Sequence, residues 1–317
     1  MYNAAKAGNG QPFIMRKGIS RLADLADGEA ALGAGVGAKT IFYCDGNAGN
    51  DGADGLSWDT AFKTLTVALA ASQADIALNS KGWAARNVIY CKGDSFVENL
   101  VLLAQKTDVI GVGSHDRYQT CLFGNHVPTG STTCSYGTRF FNFQFLAASG
   151  NIWTLDEWCC GLEFHNCFFD SNGTATSASA LVIENAPHTV VSNCQLQGAF
   201  SDAVIEVLDG DSPGLMILDN IIEGAEMGID IDTVTDGDAT HQKAIIIAGN
   251  IIRTTLACIN DGSDIAMIMN NNVVTAAAAG TGGVGAIVGN EKLSSNNFFS
   301  SSTRGNNCWP SLVVAVS

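Results

Sequence analysis

The sequence has little proline, little basic charge and no long apolar run. Proline accounts for 5 of the 317 residues, and 16 Lys and Arg stand against 31 Asp and Glu, giving a formal net charge of −15. A phosphate backbone repels a chain this acidic, which argues against nucleic acid as the main partner. No stretch reaches the roughly 20 apolar residues that a membrane span requires. The N-terminal residues also lack the apolar region of a secretory signal, so we expect a soluble chain made in the cytoplasm.

The composition indicates many short strands. The chain contains 35 glycines, is 46% hydrophobic and is only 15% charged. Long amphipathic runs of Leu, Glu, Lys and Arg, which are typical of helices, are nearly absent. A chain of this length and hydrophobicity can bury a large core. Short strands joined by tight turns therefore fit the composition better than a helical bundle.

A short motif recurs through the second half of the chain, with apolar residues at alternate positions followed by asparagine. Successive copies lie about 21 to 30 residues apart, and a recurrence of this size indicates a solenoid. The aligned asparagines are Asn142, Asn166, Asn193, Asn220, Asn250, Asn271 and Asn296.

The motif explains how successive coils would stack. Residues two apart on a strand point to the same side, so Leu162 with Phe164 and Ile245 with Ile247 are predicted to face the core, as is Val190. Asparagine tolerates the left-handed conformation of a bend, and stacked amides can bond to one another. We therefore interpret the seven asparagines as one structural ladder.

Two cysteines support this alignment, because Cys167 and Cys194 each directly follow a ladder asparagine. We expect them to stack on adjacent coils about 4.8 Å apart, as reduced thiols. The predicted fold is all-β, a right-handed parallel β-helix over residues 87–300 with about 25 residues in each coil.

The N-terminal arm, residues 1–38, differs from the repeats. Its basic residues Arg16, Lys17 and Arg21 precede the first carboxylate of an otherwise acidic chain. We interpret the arm as an attachment segment.

Residues 39–86 are predicted to hold a β-rich strand, a loop rich in Asp, Asn and Gly, and a short helix. Thr64 or Thr66 can cap this helix, which would cover the open end of the solenoid. Residues 301–317 are predicted to close the other end with a strand that protects the last coil.

The loop between that strand and the helix has two interpretations. Its polar side chains either satisfy a turn or bind Ca²⁺, although their spacing does not match the EF-hand pattern. The candidate ligands are Asp45, Asn47, Asp51 and Asp54.

The strand, the loop DGNAGNDGADGLSWDTAFKTL and the asparagine-marked coils together resemble the pectate-lyase-like right-handed β-helix superfamily, particularly its bacteriophage virion members. The resemblance covers about residues 39–300. It implies a homotrimer whose arm binds the major capsid protein or another virion protein. The superfamily includes lyases, hydrolases, adhesins and structural rods, so the fold alone does not define an activity.

The catalytic motifs of the pectin-degrading members are missing, so pectin chemistry is not expected. Tailspike glycosidases need only two carboxylates about 5 to 9 Å apart. The acidic part of the chain offers Asp202 with Glu206, and Glu223 with Glu226 or Asp230. A solvated acidic surface is the alternative, because any acidic solenoid presents such pairs by chance.

Other chemistries find less support. The 5 histidines are scattered, and neither H-x-x-x-H nor C-x-x-C occurs, which argues against a zinc site. No G-x-S-x-G occurs, and a Ser-His-Asp triad cannot be assembled from spacing alone. An aromatic cluster is either core or a sugar-stacking platform. Its members are Phe140, Phe141, Phe143, Phe145, Trp153 and Trp158.

We therefore expect a non-enzymatic bacteriophage virion protein that decorates the capsid or projects from the head, without a cofactor unless the loop binds Ca²⁺. The alternative is a tail-associated spike that binds or depolymerises host surface glycan with a carboxylate pair.

Overall fold

The computed structural model describes residues 40–301, apart from 79–85, 94, 114–119, 130–135, 157–158, 172–177, 209–211, 225, 233–244, 264–265, 276–286, 290–292 and 296. It also describes two short antiparallel strands, Ala5–Lys6 and Pro12–Phe13. The predicted arm residues Arg16, Lys17 and Arg21 lie outside the described residues. So do Trp158, Asn296 and residues 302–317. Within the described part of the chain, no helix is both long and apolar enough to cross a membrane.

The other described strands stack into three parallel sheets. Sheet I has ten strands, which are Ile41–Asp45, Asn87–Lys92, Thr107–Gly111, Arg139–Phe141, Glu163–His165, Val190–Ser192, Met216–Leu218, Ile245–Ala248, Ala266–Met269 and Leu293–Ser295. Sheet II has nine, which are Ser95–Val97, Thr120–Phe123, Phe143–Leu146, Phe168–Asp170, Gln195–Gln197, Ile221–Glu223, Ile251–Thr254, Asn272–Thr275 and Phe298–Ser301. Sheet III has six, which are Trp153–Leu155, Leu181–Ile183, Ala203–Val207, Met227–Ile231, Ile259–Asp261 and Ile287–Gly289.

The strand order within each sheet follows the chain order, and every pairing in the three sheets is parallel. Phe164, for example, lies beside Val191, which lies beside Ile217 on the next coil. Each coil thus adds one strand to each sheet. The fold is a right-handed parallel β-helix, which confirms the predicted fold class.

Alternate residues of the strands fill the core. Leu162, Phe164, Ile245 and Ile247 are fully buried, as their alternation predicts. The prediction for Val190 is wrong by one position, because Val191 is the fully buried residue and Val190 is half-buried on the outer face.

The aromatic cluster belongs to this core. Phe140, Phe143, Phe145 and Trp153 are fully buried, and the Phe140 ring lies 5.4 Å from that of Trp153 between ring centroids. Large rings fill the wide interior of these coils, so they cannot serve as a sugar-stacking platform. Phe141 alternates with Phe140 and lies on the outer face of sheet I.

His126 is buried in the same region, with its ring centroid 4.5 Å from that of Trp153. Its Nδ1 accepts a hydrogen bond of 3.2 Å from the backbone N–H of Leu100. Burial lowers the pKa of His126 to about 3, so the ring is neutral at physiological pH.

The loop before the helix protects the first edge of sheet I. The backbone N–H of Tyr43 donates to Gly55 O at 2.7 Å, and that of Asp45 donates to Phe62 O at 2.7 Å. The loop, rather than the helix, thus satisfies the free backbone groups of this edge strand. It ends in a short 3-10 helix, Trp58–Thr60.

The α-helix Leu65–Leu78 packs against the first two strands of sheet I. Thr64 Oγ1 accepts from the N–H of Val67 at 3.4 Å, as an N-cap does. The carboxylate of Glu98 accepts from the N–H groups of Leu65 and Thr66, both at 2.8 Å. A carboxylate at this end is stabilised by the helix dipole.

The predicted asparagine ladder is two neighbouring columns rather than one. The first column occupies the bend itself, where every residue has a positive φ between 51° and 73°. Its described members are Asn142, Asn166, Asn193, Asp219, Gly249 and Asn270. The second column is one residue later and is buried. Its described members are Phe143, Cys167, Cys194, Asn220, Asn250, Asn271 and Asn297.

The buried column carries the continuous ladder. The N–H of Asn220 donates to Asn250 Oδ1 at 2.9 Å, and that of Asn250 donates to Asn271 Oδ1 at 2.9 Å. Cys167 and Cys194 occupy the same column, with the N–H of Cys167 3.4 Å from Cys194 Sγ. An alignment on asparagine alone cannot distinguish the two columns. Asparagine is favoured both at the left-handed bend and at the buried position that needs an amide.

Substitution of Asn250 by alanine tests the ladder. Asn250 also donates to Ile217 O at 2.9 Å, so the variant leaves several buried groups without partners. We expect the free energy of unfolding to fall by about 2–4 kcal/mol, measured by chemical denaturation. Asn270→Gly is the control, because Asn270 is exposed at a bend with φ 55°, and we expect a change within about 0.5 kcal/mol. Equal losses in both variants would contradict the ladder.

The low pKa of His126 predicts a loss of stability in acid. Between pH 6.5 and about 3, the unfolded chain binds a proton at His126 that the folded chain excludes. This residue alone should therefore lower the free energy of unfolding by about 1.4 kcal/mol per pH unit as the pH falls through that range. His126→Phe should remove that slope, whereas His188→Asn, at an exposed histidine with φ 62°, should keep it. Identical slopes in wild type and His126→Phe would exclude His126 as the source.

Candidate functional site

The core of the β-helix is filled with side chains, so its chemistry lies on the outward faces of the three sheets. The outer face of sheet III is acidic. On adjacent coils it presents Glu206 and then Asp230, which are register partners, followed by Asn260. Neighbouring strands are about 4.8 Å apart, so the two carboxylates emerge side by side.

The environment of Glu206 favours the protonated form of its carboxyl group. Partial burial raises the pKa of Glu206, and the charges of Asp202, Asp230 and Asp232 raise it further. Asp230 Oδ1 accepts a hydrogen bond of 2.7 Å from Asn260 Nδ2. Two adjacent carboxyl groups, one with a raised pKa, are the kind of pair that general acid catalysis uses.

Glu223 and Glu226 do not join this pair. Glu223 lies on sheet II, where its Oε1 is 2.9 Å from the guanidinium of Arg253. Because Asp230 lies on sheet III, the predicted pairing of Glu223 with Asp230 is wrong. Glu226 is exposed, and its backbone carbonyl accepts from Leu256 N at 3.0 Å.

The acidic loop before the helix uses its carboxylates as hydrogen-bond acceptors. Asp45 Oδ1 accepts from the N–H groups of Asn47 and Ala48. Burial alone raises the pKa of Asp45, but these bonds and Lys92 together bring it below the usual value.

Asp51 and Asp54 are used in the same way. Asp51 Oδ1 accepts from the N–H groups of Lys63 and Thr64 at 2.8 Å, and Asp54 Oδ1 accepts from Leu56 N at 3.0 Å. Among the described residues no group of three or more His, Cys, Asp or Glu is arranged to hold a metal ion. The geometry is that of a satisfied turn.

The outer face of sheet I carries a line of hydrogen-bonded polar side chains. Asp108 accepts from Arg86 and from Arg139 at 2.7 to 2.8 Å. On the next two coils, Glu163, His165 and Ser192 form a second hydrogen-bonded group. Sequence reasoning missed this group because its members come from different coils; the only local signal is Glu163 two residues before His165 on one strand.

The outer face of sheet II carries exposed apolar side chains among polar ones such as Gln195 and Gln197. Val97, Ile221 and Ile251 are exposed, and Phe168 lies in the same outward row as the two isoleucines. Outward isoleucines on adjacent coils are an exposed apolar surface of the kind that mediates association.

The comparisons with known proteins give one weak likeness. No protein-family model and no curated protein matches the sequence. One solved structure, the pectin methylesterase from Aspergillus niger in deglycosylated form, is similar with 14% sequence identity and a TM-score of 0.46, over 88% of this chain and 92% of that one. The fold assignment depends on the strand pairing of this chain, and no property of that enzyme is transferred to it.

Proposed function

We propose that the protein is a structural protein of a bacteriophage virion, a β-helical rod that decorates the capsid or projects from the head. The sequence resemblance to virion β-helix proteins supports the viral origin. The observation that carries the structural role is the pair of exposed isoleucines, Ile221 and Ile251, on adjacent coils of sheet II, because a solitary rod gains nothing from apolar side chains exposed to water.

The outer face of sheet II suits association between copies of the same chain. Each copy has a net charge of −15, so copies repel one another where their acidic surfaces meet. Among the described strand residues of sheet II, the outward charges are limited to Asp170, Glu223 and Arg253, and the last two form an ion pair. Three rods packed through this face would bury the exposed apolar side chains in a homotrimer.

The basic arm complements the acidic rod. Arg16, Lys17 and Arg21 lie in the first 38 residues, before the first strand of sheet I. In this proposal the arm binds the major capsid protein or another virion protein and leaves the rod exposed on the particle.

The proposal is tested on purified particles and on the purified protein. We expect the chain in hundreds of copies per particle by quantitative mass spectrometry, because a capsid-decorating protein follows the capsid lattice. Sedimentation equilibrium should give three times the chain mass of 33.0 kDa. Ile251→Glu should shift the protein to the monomer, because it replaces one of the two exposed isoleucines with a charge.

Thr154→Glu is the matched control, because it adds the same charge at an outward strand position of sheet III and should leave the trimer intact. Absence of the chain from particles would refute the virion role, and a monomeric wild type would refute the role of sheet II.

A second candidate function follows from Glu206 and Asp230. Their adjacency and the raised pKa of Glu206 fit a spike that cleaves host surface glycan, with Glu206 as acid and Asp230 as nucleophile or base.

Cleavage of the glycan is the discriminating measurement. If this function holds, the protein shortens purified host polysaccharide, as read by size-exclusion chromatography, and Glu206→Gln slows cleavage by about 100-fold or more. The control is Glu223→Gln, which changes a carboxylate outside the pair and should keep full activity. An unchanged polymer size with polysaccharides from several hosts would refute the glycan-cleaving function, and only the structural role would stand.

A further inference from the structure

Three side chains on the outer face of sheet I are connected in the order of a serine-hydrolase triad, with the two imidazole nitrogens exchanged. Ser192 Oγ lies 2.6 Å from His165 Nδ1, and His165 Nε2 lies 2.7 Å from Glu163 Oε2. Both distances are short for hydrogen bonds that involve nitrogen. A nucleophile, a base and a carboxylate in this order form the general template of a catalytic triad.

The fold determines this order without any local sequence motif. Glu163 and His165 are two residues apart on one strand, so both point outward while Phe164 points into the core. His165 and Ser192 are register partners on adjacent coils. The parallel register therefore places the serine directly beside the imidazole.

The two hydrogen bonds allow the arrangement that a triad requires. A carboxylate can only accept a hydrogen bond, so with Glu163 as the carboxylate the neutral imidazole donates from Nε2. In this tautomer the lone pair of Nδ1 accepts the hydroxyl proton of Ser192. The ring of Phe141 stacks on that of His165, with centroids 5.0 Å apart and planes inclined by 17°, and holds its orientation.

We propose that Ser192, His165 and Glu163 form an acyl-transfer site that hydrolyses carboxylic esters. Ser192 Oγ attacks the ester carbonyl and forms the new C–O bond while its proton moves to His165 Nδ1. The same proton passes to the alkoxide oxygen as the ester bond breaks, which releases an alcohol. A water molecule then attacks the acyl-serine and gives a proton to Nδ1. As the acyl–Oγ bond breaks, Nδ1 passes this proton to Ser192 Oγ, which restores the serine and releases the carboxylic acid. Glu163 stabilises the charged imidazole in both steps.

The next residue offers a donor for the oxyanion. Asn193 occupies the left-handed bend directly after Ser192; its backbone N–H donates to Leu218 O at 3.1 Å, and its side chain is exposed. We assign to the side-chain NH₂ group the stabilisation of the negative oxygen of the tetrahedral intermediate.

The surroundings of Ser192 indicate the substrate class. Toward the C-terminal coils, the outward residues of sheet I are apolar, and none of the described ones from Val190 to Met269 is charged. Val190, Met216 and Leu218 lie immediately beside Ser192 and are half-buried. Such a surface suits an apolar acyl group, whereas the charged residues lie on the opposite side of Ser192. The substrate class is therefore esters of apolar acids.

This site is independent of the proposed structural role. It lies on sheet I, whereas the proposed association face lies on sheet II and the acidic pair lies on sheet III. Each of the three can be refuted while the others stand.

Covalent labelling tests the site on the full-length protein. A fluorophosphonate forms a stable adduct with a serine that is activated by a neighbouring base, and peptide mass spectrometry locates the adduct. We expect a single adduct on Ser192 of the native protein and none after thermal denaturation. No adduct on the native protein, or an adduct confined to another serine, would overturn the proposal. This result needs no variant, so it holds even if a substitution impairs folding.

Hydrolysis of p-nitrophenyl butyrate gives the second measurement. We expect saturable release of p-nitrophenol by the wild type, and a loss of about 100-fold or more in kcat for Ser192→Ala and His165→Asn. Asn193→Ala should lower kcat by about 100-fold with less effect on KM. Ser95→Ala is the control, because Ser95 is an exposed outward serine of sheet II, and its rate should equal that of the wild type. Equal rates for Ser192→Ala and the wild type, with an unchanged circular-dichroism spectrum, would exclude Ser192 as the nucleophile.

Discussion

Every feature of this protein depends on the parallel register that places equivalent residues of successive coils side by side. Backbone hydrogen bonds between strands about 4.8 Å apart maintain that register. A residue on one coil therefore lies beside its counterpart on the next. Side chains of the same kind can thus form columns along the rod. A slip of one residue would turn every inward side chain outward, so the buried core makes the register specific.

The buried column next to the bend shows how the register is reinforced. Side-chain oxygens of Asn250, Asn271 and Asn297 each accept the backbone N–H of the preceding coil. This bond gives a partner to a backbone N–H that, because of the bend, does not pair with a neighbouring strand. Cys167 and Cys194 take the same place toward the N-terminal coils, where large aromatic rings fill the interior. Toward the C-terminal coils the column therefore consists of hydrogen-bonded asparagine side chains. Toward the N-terminal coils it consists of small, weakly polar cysteine side chains.

The three outer faces are free of this constraint and differ accordingly. Sheet II presents isoleucines, sheet III presents carboxylates, and sheet I changes from charged residues to apolar ones along the rod. One scaffold can therefore separate association from chemistry by placing them on different faces. The raised pKa of Glu206 arises from the same stacking, because partial burial is joined by like charges on adjacent strands.

The sequence by itself determined the fold class, because alternation of apolar residues and a recurring polar bend are local patterns that any stacked coil must repeat. It also predicted a helix capped by Thr64 or Thr66, and the use of Asp45, Asp51 and Asp54 in a turn as one of two alternatives. It could not separate the bend column from the buried column, since both select asparagine and differ by one residue. Only the tertiary structure paired Glu206 with Asp230 and joined Ser192 to His165 and Glu163. Those contacts connect residues 24 or 27 positions apart in the chain. Because loops of varying length separate the coils, the sequence alone does not show which residues become register partners.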